Sequence, residues 1–339
     1  MLRAVVGRRV RRAVQPCDLV DYLNGRLDGD FASESVEVTN VWTRLRTATR
    51  RIRPKMAVGW ALDADQQPQL QLNASALQVK DAEAALTHAI RGYFRQRLLN
   101  KPDQGKVYAV TSASTPPNHF MRSGNFTRFA EWRFVHRARL DCVPLNGSRR
   151  WGNGVKACRR CGYENETLPH VLNHCKPHFA TITRRHNAVL GRLVKALKPS
   201  SGTTVRVNQT VPGFNDGLRP DLFILNEAEK TAAIIDVATP FENRYAAFEA
   251  ARNGKKVKYD HIASHLRQQG YDVVVDAFLV GALGGWDPAN ERLISQLRLR
   301  RRYCHLMRRL MCTDAIRWSR DIYVEHVTGQ AIRRRPSQP

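Results

Sequence analysis

The sequence predicts an α+β protein in which helices come first and a small sheet comes late. Helical periodicity dominates residues 1–150, cysteine and histidine crowd into residues 151–180, and β-rich runs alternate with helical runs in residues 181–330. These stretches are the three predicted domains: a helical basic region, a small zinc knuckle, and an α/β domain with a mixed sheet flanked by helices.

The composition points to nucleic acid as the partner. The chain has 339 residues, of which 42% are hydrophobic, which is enough for about two or three globular domains. Lys and Arg number 55 against 30 Asp and Glu, so the formal charge is +25, an excess typical of proteins that bind polyanions. No apolar run reaches the roughly 18 residues of a spanning helix, and we therefore expect no membrane partner.

Two helices are predicted in the first hundred residues. The first begins near Thr39 and has an apolar stripe of Val41, Leu45, Ala48 and Ile52, with arginines elsewhere on its surface. The second is predicted as a packing helix, with an apolar stripe of Ala82, Leu86, Ala89, Ile90 and Phe94. A basic helix face of this kind is either simply solvated or in contact with phosphates.

A third helical run, "FTRFAEWRFVHRARL", mixes aromatic side chains with arginines. Its aromatic residues are Phe126, Phe129, Trp132 and Phe134. Aromatic rings beside arginines can stack on bases, but aromatic residues within a helix more often form core, and core is the interpretation we favour here.

The last third of the chain predicts the sheet. After an amphipathic helix in "RRHNAVLGRLVKAL", three β-rich runs follow, "TTVRVNQTV", "RPDLFILN" and "TAAIIDVATP". A long helix is predicted over residues 243–269, followed by a strand in "YDVVVDAFLVG". The pair Asn253-Gly254 is a helix-ending signal inside that helix, and a break there would move Lys255 away from Asp236.

The stretch "CRRCGYENETLPHVLNHC" predicts a metal site with two possible ligand sets. Three of the seven cysteines lie here, which favours a metal over a disulfide framework. The ligands are Cys158, Cys161, His170 and Cys175 in a zinc knuckle, or Cys158, Cys161, His174 and His178 in a finger. We favour the knuckle because Pro169 suits the first turn of a helix that carries His170, and because the finger leaves Cys175 unused. His174 is the substitute ligand, and His178 is expected to lie outside the site.

Two acids predict a second metal site. Asp221 and Asp236 are separated by fourteen residues, enough for a strand, a turn and a second strand, so the carboxylates can lie side by side. A helix that returns along the sheet brings Lys255 near Asp236, with Lys258 and Tyr259 on the same helix face. The alternative is that Asp221 caps a turn and Asp236 pairs with an arginine.

These motifs, in this order, resemble the C-terminal third of the polyproteins of site-specific non-LTR retrotransposons that insert into ribosomal RNA genes. "DFASESVEVTNVWTRLRTATRRI" and residues 126–145 resemble the linker after the reverse transcriptase thumb. The Cys/His stretch is similar to the family's CCHC knuckle, and "RHN" at residues 185–187 resembles a motif that follows it. "RPD" with Asp236, then "KKVKY", resembles the family's restriction-like endonuclease of the PD-(D/E)xK superfamily.

The resemblance implies a function. The endonuclease would nick one strand of target DNA in the nucleus, and the freed 3′ hydroxyl would prime reverse transcription of the element's RNA. By position, Asp221 and Asp236 would hold Mg²⁺, Lys255 or Lys258 would orient water or stabilise the transition state, Tyr259 would lie nearby, and the knuckle would hold a structural Zn²⁺. The common superfamily pattern has a lysine two residues after the second acid, where this chain has Ala238.

One motif of the longer polyprotein is missing from this sequence. The Y/F-x-D-D stretch of a reverse transcriptase does not occur, so RNA-directed DNA polymerase activity would belong to the parent polyprotein. The chain is therefore expected to be a fragment or a degraded genomic copy. An inactive remnant that only binds nucleic acid through its arginines and its knuckle is the alternative to an endonuclease.

Overall fold

A computed structural model describes residues 15–26, 40–148, 154–214 and 216–332. The chain forms two compact units, Met1–Asn100 and Lys101–Pro339. The predicted boundaries at residues 150 and 180 stay predictions, and residues 30–39 of the linker-like stretch lie outside the described residues. Among the described helices, none has the length and apolar character needed to cross a bilayer.

Within its described residues, the first unit combines three helices with a small antiparallel sheet. Its elements are α1 (Pro16–Asn24), α2 (Val41–Ile52), β1 (Val58–Leu62), β2 (Pro68–Leu72), β3 (Ser75–Ala76) and α3 (Val79–Leu99). The predicted helix α2 is confirmed, and the Asn40 side chain caps it by accepting from the N–H groups of Trp42 and Thr43. The sheet was not predicted, because its strands lie partly in a polar, Gln-rich stretch.

Helix α3 has the predicted bounds and only part of the predicted role. None of its side chains is buried, and Phe94 is 49% exposed. The other residues of its apolar stripe, Ala82, Leu86, Ala89 and Ile90, are only partly buried, so the prediction of a packing helix is borne out in part. Periodicity reports which face of a helix is apolar, and it does not report whether another element covers that face.

The second unit begins with helices and continues into a sheet. Before the sheet lie α4 (Gln104–Thr111), α5 (Phe120–Ser123), α6 (Phe129–Arg139), α7 (Leu168–Asn173) and α8 (Phe179–Ala196). Then follow β4 (Thr203–Val207), β5 (Leu222–Asn226), β6 (Thr231–Ala238), α9 (Arg244–Lys258), α10 (Asp260–Gln268), β7 (Asp272–Leu279), α11 (Asn290–Gln296) and α12 (Arg301–Thr328).

The sheet of the second unit is mixed, as predicted. Its strand order is β4-β5-β6-β7, with antiparallel pairing up to β6 and parallel pairing between β6 and β7. A parallel pair needs a long crossover, and α9 with α10 supplies it. The run from Thr231 to Ala238 was correctly interpreted as a buried strand, because its apolar residues alternate between two covered faces.

Helices cover both faces of this sheet. On one face, Ile235 packs in a cluster with Leu193 of α8 and Met311 of α12. On the other face, Ile234 packs with Ile262 of α10. Since every β6 side chain between residues 232 and 237 is buried, the polar Asp236 among them must find its partners inside the protein.

Helix α9 runs through Asn253-Gly254 without a break, although this pair is a helix-ending signal. Gly254 is helical and is not among the residues with positive φ. The side chains of Phe248 and Arg252 are buried, and Arg252 is paired with Asp276 of β7, which anchors the preceding turns. The predicted long helix is divided in two instead: α9 ends at Lys258, and α10 begins at Asp260 after Tyr259.

This continuity predicts that Gly254→Ala stabilises the protein. A Cβ at this position meets no atom within 4 Å, and glycine inside a helix costs roughly 0.5–1 kcal/mol relative to alanine. We expect the free energy of unfolding, measured by urea denaturation, to rise by about that amount. As a matched control, Gly284→Ala should destabilise, because Gly284 has φ +81° and its Cβ would lie 2.8 Å from Ile316 Cδ1. A loss of stability in Gly254→Ala would contradict a continuous α9.

Candidate functional site

The structure brings Asp221 and Asp236 together on paired strands. Leu222 of β5 faces Ile235 of β6, so the residues one step further along each strand are also neighbours. The Asp221 N–H donates to Asp236 Oδ1 at 3.2 Å, and the Val237 N–H donates to Asp221 Oδ2 at 2.6 Å. Both acids are buried. The spacing of fourteen residues therefore did predict the neighbourhood of the two carboxylates.

Lys255 contacts this acid pair directly. Its Nζ lies 2.5 Å from Asp236 Oδ2. That oxygen is buried and receives no hydrogen bond of good geometry from the residues that the structure describes. Among the described residues, the charged partner of Asp236 is thus a lysine and not the arginine of the alternative interpretation. The contact depends on the unbroken helix α9, which carries Lys255 back to the level of Asp236.

Tyr259 and Lys258 form an outer layer of the same site. The Tyr259 hydroxyl lies 3.4 Å from Asp236 Oδ1 and 3.2 Å from the Arg219 carbonyl oxygen, so it can donate to either. Lys258 Nζ donates to that hydroxyl at 3.0 Å. Lys255 thus contacts Asp236 directly, whereas Lys258 contacts Tyr259.

His186 is a member of this site that sequence reasoning did not select. Its Nε2 lies 3.0 Å from Asp221 Oδ2 and 3.2 Å from the Val237 carbonyl oxygen, while its Nδ1 lies 3.1 Å from Asn187 Oδ1. With oxygens against both ring nitrogens, this arrangement suits the protonated imidazole. The "RHN" stretch was the available signal, but nothing local in it pointed to Asp221.

Arg185 fixes the position from which His186 reaches the acids. The Arg185 side chain is fully buried and donates to Thr239 Oγ1 at 3.2 Å, Ser319 Oγ at 2.8 Å and Asn173 Oδ1 at 2.8 Å. These bonds tie α8 to the end of β6, to α12 and to α7. Because His186 is the next residue on α8, its direction is set by the same anchor.

The pKa values of the two acids are shifted in opposite directions. Burial raises the pKa of Asp236, the adjacent Asp221 raises it further, and the Lys255 ammonium opposes the rise without cancelling it. Burial also acts to raise the pKa of Asp221, but hydrogen bonds from His186 and Asp236 and the His186 charge outweigh it and hold this pKa below its ordinary value. For His186, burial acts to lower the pKa, and Asp221 raises it above its ordinary value.

The four knuckle residues lie together as a separate candidate metal centre. The donor atoms of Cys158, Cys161, His170 and Cys175 lie within 4.8 Å of one another. Cys158 Sγ is 3.8 Å from Cys175 Sγ, and Cys161 Sγ is 3.3 Å from His170 Nε2. Three thiols and an imidazole at this range are a donor set that could hold a tetrahedral zinc ion.

Local structure explains this convergence. After Cys158 the chain turns tightly through Gly162, whose φ is +74° and whose N–H donates to the Cys158 carbonyl oxygen. The Thr167 side chain then caps α7, with Pro169 in its first turn, and the helix presents His170. The Tyr163 ring stacks on the His170 imidazole at 4.6 Å between centroids.

The alternative ligands His174 and His178 lie outside this group of four. His174 is exposed at the end of α7. His178 is buried, but its Nε2 lies 3.0 Å from His326 Nδ1. His178 is therefore not an idle surface residue, and its neighbour comes from the far end of the chain.

His326 and Glu166 form a buried layer behind the cluster. His326 Nε2 lies 2.9 Å from Glu166 Oε1, and the two ring nitrogens of His326 lie 3.9 Å from the thiols of Cys158 and Cys175. Burial acts to raise the pKa of Glu166, but Arg159 and the Asn146 N–H lower it to about 2, so this carboxylate stays ionised. His326 is 151 residues from Cys175, and no local pattern could have linked them.

The arrangement predicts one zinc ion per chain, with His170 as the histidine ligand. His170→Ala should lose the metal, and His174→Ala should keep it, because His170 belongs to the group of four donors and His174 does not. Elemental analysis of the purified variants measures the stoichiometry. Retention by His170→Ala together with loss by His174→Ala would reverse the assignment.

A second prediction concerns the buried layer behind the thiols. His326→Ala should weaken zinc affinity by about 10- to 100-fold, the usual effect of removing a group that orients metal ligands. Competition with a chromophoric chelator measures this affinity. His305→Ala, at an exposed position on the same helix α12, is the matched control and should leave it unchanged. Equal affinities of both variants would show that His326 plays no part in the site.

Comparison with known proteins relates the chain to mobile elements. No family model matches it. Over 182 residues, 52% of the chain, it is 28% identical to the retrovirus-related Pol polyprotein from type-1 retrotransposable element R2 of Popillia japonica. The match covers 37% of that relative's length. The chain is thus a distant, partial homologue of a retrotransposon polyprotein.

Proposed function

We propose that the unit Lys101–Pro339 contains a restriction-like endonuclease that nicks one strand of a DNA target with the help of Mg²⁺. The observation that carries this proposal is the meeting of Asp221, Asp236 and Lys255 at the adjoining ends of two paired strands. Each residue alone has a structural explanation. Together they place two carboxylates and one ammonium where a metal ion and a phosphate can meet.

The acid pair suits a hard divalent cation. Two adjacent carboxylates offer oxygen ligands, and one of their buried oxygens, Asp236 Oδ2, has only the Lys255 ammonium against it among the described groups. Asp221 and Asp236 would hold the cation. When bound, Mg²⁺ would polarise the scissile phosphate and lower the pKa of an attacking water.

The surrounding side chains would prepare the site for phosphate. Lys255 can offset the negative charge that develops on the phosphoryl oxygens. His186 holds Asp221 in its ionised form and fixes the direction of its Oδ2. The Tyr259 hydroxyl contacts Oδ1 of the other acid, Asp236, and Lys258 donates to that hydroxyl.

The role in retrotransposition rests on the relative. That protein is a Pol polyprotein of a retrotransposable element, and the freed 3′ hydroxyl of a nicked target could prime reverse transcription of the element's RNA. Such a reaction would take place in the nucleus, on chromosomal DNA. The polymerase would be supplied by another part of the parent polyprotein, since this sequence lacks its Y/F-x-D-D stretch.

A second candidate function is binding without cleavage. The Cys/His cluster and the charge of +25 favour it, because both serve nucleic-acid binding whether or not the acid pair is active. In that case the chain is an inactive, zinc-containing binding module.

Nicking of a supercoiled plasmid in the presence of Mg²⁺ tests the proposal. Asp221→Ala and Asp236→Ala should abolish nicking and leave DNA binding nearly intact. Lys255→Ala should cut about 10²- to 10³-fold more slowly, the usual cost of losing one group that stabilises a transition state, and Lys258→Ala should be less affected.

Asp272→Ala is the control for these acid variants. Asp272 is exposed at the start of β7, opposite Thr231 and so at the other end of β6 from Asp236, and its loss should not change nicking. Wild-type protein that binds DNA tightly but never nicks it, with Mg²⁺ or with Mn²⁺, would leave the binding module as the better account.

A further inference from the structure

We propose that the outer face of helix α6 is a platform on which unpaired bases of a DNA strand stack. Three of the four aromatic residues expected in the core are exposed: Phe126 by 44%, Phe129 by 70% and Trp132 by 38%. Phe134 alone of the four is buried, so the core interpretation holds for that residue and is wrong for the other three. The choice of DNA rests on the proposed nuclease function, whereas the stacking surface itself does not.

The exposed rings form an ordered row. Phe129 and Trp132 lie nearly parallel, with 5.7 Å between ring centroids and 13° between planes, and the His136 ring lies 4.4 Å from Trp132. Residues at spacings of three and four share one face of a helix, so the three rings line one side of α6. A base can extend such a row by laying its own flat face against an exposed ring.

Burial of the opposite face holds this row in place. Phe134, Val135 and Ala138 pack in the core of the second unit. Glu131, fully buried, is held by Arg128 and Arg317 and closes the first turn of α6. The helix is therefore anchored while its aromatic face is open, and an exposed apolar face on a fixed element is typical of a binding site.

The positive charge of the arginines around the rings favours a polyanion as the partner. Arg133 and Arg137 are exposed on α6, and with Arg320 and Tyr323 of α12 they line an open groove of about 200 Å³. The only acid of α6 is the buried Glu131. Stacking rings bordered by arginines fit a nucleic-acid strand, whose bases and phosphates run side by side.

The partner strand must be unpaired. Within a duplex both faces of each base are covered by neighbouring bases, and an enzyme that needs a base has to take it out of that stack. Rings on a protein surface therefore gain little from intact duplex. A nicked or locally melted target, in contrast, offers free bases close to the strand that is cut.

Fluorescence anisotropy with a labelled 20-nucleotide oligo-dT, without divalent cations, tests the platform. The double variant Phe129→Ala/Trp132→Ala should bind this strand roughly tenfold more weakly or worse, since stacking on one base is worth about that much. Binding of a duplex of equal length should change little. Trp132→Phe should keep most of the affinity, and Arg133→Gln/Arg137→Gln should weaken both ligands and reduce the salt dependence.

Phe94→Ala is the matched control, because Phe94 is also exposed and also lies near a cation, Lys55, but belongs to the other unit. It should leave oligo-dT affinity unchanged. An unchanged affinity of the double variant, or an equal loss on duplex, would overturn the platform, and a loss confined to an oligo-U RNA would overturn the choice of DNA. Binding is read without cleavage, so failure of nicking and failure of stacking are separate results.

Discussion

The register of β5 against β6 holds two carboxylates next to each other in the interior, where like charges repel and desolvation is costly. The charge of each buried carboxylate therefore needs a basic side chain beside it. Lys255 of α9 pairs with Asp236, and His186 of α8 contacts Asp221. The positions of these two helices against the sheet, and the continuity of α9 through Gly254, are therefore tied to the acid pair.

Helix α12 links this centre to the Cys/His cluster. Its Ser319 accepts a hydrogen bond from Arg185, next to His186, and its His326 lies behind Cys158 and Cys175. Helix α8 provides a second link, since it begins at the residue after His178 and carries His186 roughly 12 Å further along its axis. Zinc bound at the cluster would thus stabilise elements that also position the acid pair.

Two candidate sites with different chemistry lie in the second unit. The acid pair is buried and, in the proposed nuclease, would hold a metal ion beside a phosphate, whereas the open face of α6 combines aromatic rings with arginines. Proteins that act on nucleic acid commonly bind a strand with one set of residues and act on it with another. The net charge of the chain favours both by drawing polyanions to it.

Local chemistry in the sequence determined helices α2 and α8, the four strands of the mixed sheet, the four residues of the Cys/His cluster, and the neighbourhood of Asp221 and Asp236. These depend on periodicity, capping and short spacings, which act over one or two elements. Tertiary structure decided the rest. His186 and His326 join their sites across long stretches of sequence, α9 keeps its helix at Gly254 because packing outweighs propensity, and Phe129 and Trp132 stay exposed because no described element covers their face. Periodicity shows that a face is apolar, and only the packed chain shows what lies against it.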